Sequence, residues 1–195
     1  MLTQEEALDL YRKRGAYLKG HFQLSSGLHS EYYLQSALVL QYPHDAEALC
    51  ASIADHFREK QIDVVVAPAV GGILVSYEVA RALGGEVRGI FAERVEGKLT
   101  LRRGFHISAD ERVLVVEDVV TTGKSVNETL DVVRRYTDNI VGVGALVDRT
   151  GQFDPGSLDY FALIRLKIEN YEPDKCPLCK QGVPIEKPGS RFLKK

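Results

Sequence analysis

Residues 113–125 read VLVVEDVVTTGKS, an apolar run that ends in two adjacent acids and a short Thr, Gly and Ser turn. Val113, Leu114, Val115 and Val116 are apolar without alternation, as in an inner parallel strand covered on both faces. Glu117 and Asp118 therefore emerge at the carboxyl end of that strand, where open α/β sheets bind their ligands. Thr121, Thr122, Gly123, Lys124 and Ser125 add hydroxyls and a flexible main chain. The NETLDVVRRY that follows carries Val126, Leu130 and Val133 at helical spacing. A helix starting there leaves its first amides unpaired, and with the helix dipole they form a cup for a phosphate. The two acids suit the vicinal hydroxyls of a ribose.

Two other readings compete for this segment. Gly123, Lys124 and Ser125 spell the end of a nucleoside triphosphate loop, but that loop needs a glycine five residues earlier, and Asp118 stands there. Its carboxylate would face the phosphates the loop has to cradle. Alternatively, the acids merely cap a helix and solvate a turn.

Length and composition narrow the function classes. The 195 residues suffice for one sizeable core with a small accessory lobe. With 25 basic against 27 acidic residues, no global basic field for nucleic acid exists. No run approaches the roughly 18 apolar residues of a membrane span, and the start MLTQEE opens an acidic helix rather than a basic signal segment. Cytoplasm is the expected location. Thr3 and Glu6 have the spacing of a capping box, and Ala7, Leu8 and Tyr11 give that helix an apolar side.

The unit of strand, turn and helix repeats along the chain. Residues 62–67 (IDVVVA) form one strand, a helix begins at Gly71 or Gly72, and Gly84 with Gly85 stops it. Further strands follow at 87–92, at the start of the 113–125 unit, and at 140–147 and 160–166. This alternation predicts an α/β fold with a parallel sheet between layers of helices, a Rossmann-like arrangement. Residues 41–165 carry the alternation. Residues 1–40 and 166–195 do not, and are expected to form a small hood from both chain ends over the carboxyl edge of the sheet, four prolines keeping the tail out of regular structure.

Other segments add candidate ligands. Gly71 and Gly72 let an oxygen approach main-chain amides closely, which suits a pyrophosphate, although two glycines also simply start helices. They do not belong to a dinucleotide fingerprint, because the later glycines are missing. Residues 93–104 (ERVEGKLTLRRG) hold Arg94, Lys98, Arg102 and Arg103 between two strands. A mobile cationic loop and a solvated β-hairpin both fit that composition. Cys50 shares a helix face with Leu49, Ile53 and Phe57 and belongs to the core. Cys176 and Cys179 have the spacing of a metal knuckle or a redox dithiol, and the tail around them holds no histidine. Zinc completed by the thiolates of a second chain, a local disulfide and a pair of free thiols all fit.

Taken together, VLVVEDVVTTGKS, FAERVEGKLTLRRGF, the GHFQLSSGLHSEYY of residues 20–33 and the terminal CPLCKQGVPIEKPGSR resemble the type I phosphoribosyltransferases, and within them the orotate-specific branch. The likeness covers nearly the whole chain. It implies transfer of ribose 5-phosphate from phosphoribosyl pyrophosphate (PRPP) to orotate in pyrimidine biosynthesis, with Mg²⁺ bridging substrate oxygens and no protein side chain assigned as its direct ligand.

The resemblance also implies roles. Glu117, Asp118 and Lys98 act in catalysis. PRPP is held by Arg94, Lys98, Arg102, Gly71, Gly72, Glu117, Asp118, Val119, Val120, Thr121, Thr122, Gly123, Lys124 and Ser125. Orotate meets Ser26, Gly27, Tyr33 and Leu34 on one side, and Thr121 and Arg149 on the other. A homodimer is implied, the loop of one subunit reaching the site of its neighbour. The chain departs from better-known members at Ser25 and Gly71, where they carry lysine. A purine-using phosphoribosyltransferase and a non-catalytic nucleotide-responsive regulator are the alternatives on the same fold.

Overall fold

The apolar run that opens at Val113 lies in the middle of a six-stranded sheet in the computed structural model, which describes residues 1–24 and 26–187. In chain order the elements are α1 (Gln4–Lys13), β1 (Tyr17–Gln23), β2 (His29–Leu34), α2 (Ala37–Leu40), α3 (Pro43–Phe57), β3 (Val64–Pro68), α4 (Gly71–Leu83), β4 (Arg88–Val95), β5 (Lys98–Leu101), β6 (Val113–Val120), α5 (Lys124–Val133), β7 (Ile140–Asp148), β8 (Tyr160–Arg165), β9 (Asn170–Tyr171) and α6 (Pro177–Lys180). The large sheet runs β5-β4-β3-β6-β7-β8 and is parallel except at β5.

Two separate cores explain why β3 and β6 lack alternation. Val65, Ala67, Leu114 and Val116 point to one face, into a cluster with Leu49 and Ile53 of α3 and Val75 of α4. Val64, Val66, Val113 and Val115 point to the other, against Val126, Leu130 and Val133 of α5. Each such side chain, fully buried, contributes about 1.5–3 kcal/mol relative to exposure, so neither face tolerates a polar residue. Cys50 lies fully buried in the first cluster. Residues of α1 join that same cluster, and Thr3 and Glu6 form the expected capping box.

The strand order sets the position of any ligand. From β3 the chain moves outward to β4 and β5, whereas from β6 it moves the opposite way to β7 and β8. The reversal falls between β3 and β6, and the crevice at such a reversal is where open α/β sheets bind.

A second, three-stranded antiparallel sheet, β1-β2-β9, joins segments from both chain ends. The tail continues past it: Glu186 accepts from the amide of Gln23 and donates to the carbonyl of His21, both at 2.8 Å. No described helix is long and apolar enough to cross a membrane.

Residues 93–104 take the hairpin form, one of the two readings their composition allows. β4 runs on to Val95, Glu96 and Gly97 make the turn with φ of 49° and 83°, and β5 returns with Lys98 opposite Val95. Positive φ at both turn residues matches the twist of the strands it joins. Arg103 reaches Glu93 at 2.8 Å, and Arg94 pairs with Glu128 of α5.

Candidate active site

Three strand ends converge at the reversal point. β6 delivers Glu117 and Asp118, β3 delivers the turn into α4, and β7 delivers Asp148 and Arg149, with Val120 opposite Asp148 in register. Gly71, the first residue of α4, packs directly against the Asp118 side chain: a Cβ there would overlap the carboxylate. At Gly72 a Cβ would crowd that of Ala67, and the Glu117 carboxylate lies just beyond. A lysine at position 71 has no room beside Asp118 in this arrangement. Gly71→Ala should therefore swing the Asp118 carboxylate aside rather than displace the helix, because the carboxylate is the movable partner. We expect kcat to fall at least about tenfold with the melting temperature nearly unchanged. An unchanged kcat would contradict this.

Glu117 is buried and Asp118 is half-buried. Burial pushes the Glu117 carboxyl well above the ordinary range, and the adjacent charge of Asp118 pushes it further. Its Oε1 accepts a 3.1 Å hydrogen bond from the Asp118 amide, which opposes the shift only weakly. Because the folded value is raised, the unfolded chain releases this proton first. Stability is thus lost as pH climbs from the ordinary carboxylate pKa to the raised one. Glu117→Gln removes that loss: its melting temperature should exceed the wild type's at about pH 8 and match it near pH 4. Equal melting temperatures at both values would contradict the burial argument.

The turn that follows forms the cup. Gly123, at φ 74°, starts α5 in the left-handed region, and a Cβ there would also strike the Phe153 ring. The N-cap residue Gly123 has no side chain to cap α5, whose first turn borders a pocket of about 200 Å³ lined by residues 119–126 and Glu117. Thr121 and Thr122 are exposed, and Thr122 Oγ1 accepts from the Lys124 amide at 3.4 Å. The side chain of Val120 is buried, its carbonyl accepts from the Arg149 amide at 2.9 Å, and the residue belongs to the β6–β7 ladder that walls this pocket.

On the other side of Thr121 lies an open cavity of about 690 Å³ lined by Thr121, Arg149, Thr150, Gln152 and residues 167–170. Asp148, buried, accepts from the amides of Thr150, Gly151 and Phe153 and from the Thr150 hydroxyl, which fixes the loop carrying Arg149. Arg149 itself has no carboxylate partner among the described residues. Its Nε is buried and unpartnered, its Nη2 donates to Ser30 Oγ at 3.4 Å, and desolvation lowers its pKa.

The other candidates are spread unevenly around this centre. Tyr33 lies near Arg149, its ring tilts against Phe22 and its hydroxyl accepts from Gln35. Leu34 is buried in the core. Ser26 and Gly27 form the tip between β1 and β2, where Gly27 takes φ 88° and donates to the Leu24 carbonyl. Ser25 lies outside the described residues. The cations of the hairpin are largely occupied: Arg94 by Glu128 and the Gly97 carbonyl, Arg102 loosely by Glu93 at 3.9 Å. Lys98 is exposed, and Lys124 approaches Glu128 at 3.8 Å.

Cys176 and Cys179 do not depend on a second chain for neighbours. His21 of β1 and His29 of β2 meet them, all four ligand atoms lying within 4.8 Å of one another. Sequence reasoning searched only the tail for histidines and missed this pair, although both stand in the distinctive GHFQLSSGLH segment.

The comparisons agree with this geometry. A family model described as the phosphoribosyl transferase domain matches residues 40–170. The orotate phosphoribosyltransferase of Pelotomaculum thermopropionicum is 53% identical over 193 residues, covering 98% of this chain and 100% of that protein. This chain belongs to the orotate phosphoribosyltransferases. The Caldicellulosiruptor saccharolyticus orotate phosphoribosyltransferase is 50% identical over 99% of this chain and 100% of its own length. Among solved structures, the Mycobacterium tuberculosis orotate phosphoribosyltransferase in complex with PRPP superposes with a TM-score of 0.64 at 21% identity, covering 83% of this chain and 94% of that one. At that identity the match bears on the fold alone. The end-to-end similarity to orotate phosphoribosyltransferases outweighs the purine and regulator alternatives.

Proposed function

We propose that this chain transfers ribose 5-phosphate from PRPP to a ring nitrogen of orotate, releasing pyrophosphate and forming orotidine 5′-monophosphate, in the cytoplasm and as a step of pyrimidine biosynthesis. The observation that carries the reading is Arg149, a guanidinium with a buried, unpartnered Nε, facing a cavity that adjoins the phosphate cup at Thr121. A desolvated cation without a counter-ion is costly in an empty site, and a planar carboxylate offers the bidentate partner it lacks.

In this reading residues 121–125 seat the 5-phosphate on the α5 terminus, with Val119 and Val120 at its margin. Asp118 and Glu117 hold the ribose hydroxyls, and the Asp118 charge stabilises positive character developing at the anomeric carbon. Gly71 and Gly72 give the pyrophosphate close access to the main chain. Lys98, Arg94 and Arg102 meet the departing pyrophosphate, which requires Arg94 to exchange Glu128 for the ligand. Ser26, Gly27, Tyr33 and Leu34 border the orotate ring.

The donor set fits a substrate-borne Mg²⁺. Asp118 offers a half-buried carboxylate beside the cup, burial disfavours the charged form of Glu117, and no cluster of three acids occurs among the described residues, so most ligands would come from substrate and water. Such an ion neutralises charge on the leaving group. The hood of residues 1–40 and 166–195 over the 41–165 core, of which 188–195 lie outside the described residues, belongs to the same proposal, supported by the β1-β2-β9 sheet. A homodimer is supported by Val70, Leu74 and Tyr77, an exposed apolar stripe at the start of α4 next to the site.

The test is an orotate-dependent assay with PRPP and Mg²⁺ that follows both orotidylate and pyrophosphate, with adenine and hypoxanthine in parallel. Stoichiometric appearance of both products with orotate is expected. Turnover of a purine and none of orotate would reverse the assignment.

A further inference from the structure

We propose that His21, His29, Cys176 and Cys179 form a zinc site within one chain, a structural clamp between the amino-terminal hairpin and the carboxy-terminal tail. His21 Nε2 lies 3.1 Å from His29 Nδ1, 3.5 Å from Cys176 Sγ and 3.7 Å from Cys179 Sγ, and His29 Nδ1 lies 3.3 Å from Cys179 Sγ. Tetrahedral zinc, with Zn–N of about 2.0–2.1 Å and Zn–S of about 2.3 Å, sets nitrogen and sulfur about 3.5 Å apart and two nitrogens about 3.3 Å apart. The four groups thus stand near the corners of a zinc tetrahedron, with a mixed imidazole and thiolate set that suits zinc.

The surroundings orient the ligands. His21 Nδ1 is 2.8 Å from the Val183 carbonyl, which can only accept, so Nδ1 carries the proton and Nε2 turns its lone pair to the centre. That carbonyl lies in the tail just past α6, and the tail is further held to β1 by the main chain of Glu186. His21, His29 and Cys176 are buried, while Cys179 is exposed and gives a route for metal entry.

Charge balance favours the ion as well. Binding Zn²⁺ releases the two thiol protons to solvent, and two thiolates with two neutral imidazoles leave a site of no net charge, which removes most of the cost of burying it. Zinc satisfies all four groups at once. It would fix the β1–β2 hairpin, whose Ser30 accepts from Arg149 of the cavity, acting on packing rather than on the reacting atoms.

The experiment is metal analysis of the full chain purified without chelator or added zinc, followed by chelation and titration with Zn²⁺ alone. We expect about one zinc per chain, a melting temperature that falls on chelation and recovers with Zn²⁺ but not Mg²⁺, and zinc content below about a tenth of that in Cys176→Ser/Cys179→Ser. His29→Ala should lose zinc to a similar degree. Should the variants fail to fold, wild-type stoichiometry and the visible absorption of a Co²⁺-substituted sample, which reports a tetrahedral sulfur and nitrogen set, still decide. A wild type with no zinc and no uptake, a Cys176–Cys179 disulfide in the purified protein, or one zinc per two chains retained in His29→Ala would each overturn the proposal.

Discussion

Asp118→Asn is expected to lower kcat by about 100- to 1,000-fold, the cost of removing one preorganised electrostatic contact at about 3–4 kcal/mol, without unfolding the protein. Asparagine keeps the shape of the side chain and its fit against Gly71 while deleting the charge. If Asp118 stabilises positive character at the anomeric carbon, its effect falls on the transition state and PRPP affinity changes less than turnover. A second consequence separates this from damage to the fold. The Asp118 charge is one cause of the raised Glu117 pKa, so deleting it should bring the Glu117 carboxyl down and slightly raise the melting temperature at neutral pH. Steady-state kinetics and thermal unfolding on the same preparation check both. Unchanged turnover would end the catalytic assignment, and a large fall in melting temperature would move Asp118 into a structural role.

Arg149→Ala carries the next largest effect. Truncating one partner of a desolvated ion pair costs about 2–5 kcal/mol, so kcat/KM for orotate should fall by roughly 30- to 1,000-fold or more, while the KM for PRPP stays close to that of the wild type. The stability change has the opposite sign to that of an ordinary buried contact. Arg149 has no acid partner among the described residues and a buried, unsatisfied Nε, so its removal in the absence of orotate should leave the melting temperature unchanged or higher. A residue that merely braced the loop would behave inversely, losing stability and leaving orotate saturation as it was. Arg149→Lys keeps the charge but not the planar fork, and should recover only part of the affinity.

The hairpin at 93–104 shows where composition stops being decisive. Four basic residues between strands fit a mobile cationic loop and a solvated hairpin equally, and the acids that pair with them come from both near and far: Glu93 of the same segment for Arg102 and Arg103, and Glu128 on α5 for Arg94. The turn itself was legible, since Glu96 and Gly97 sit between short apolar alternations. The pairing with α5 was not, because it depends on β5 folding back along β4 at the sheet edge beside that helix.

What the sequence by itself determined is local. An unbroken apolar run marks a strand buried on both faces, two acids after it mark the ligand end, and Gly123 marks the left-handed start of α5, all within 113–125. The helix beginning at Gly71, the stop at Gly84 and the burial of Cys50 follow from the same short-range periodicity. Only the tertiary structure decided which distant residues meet. The order β3-β6-β7 presses Gly71 against Asp118 and sets Arg149 beside Thr121, and the β1-β2-β9 sheet carries His21 and His29 to Cys176 and Cys179. Periodicity records which face of an element is dry. Strand order and register, which fix what lies across that face, arise from the packing of the whole chain.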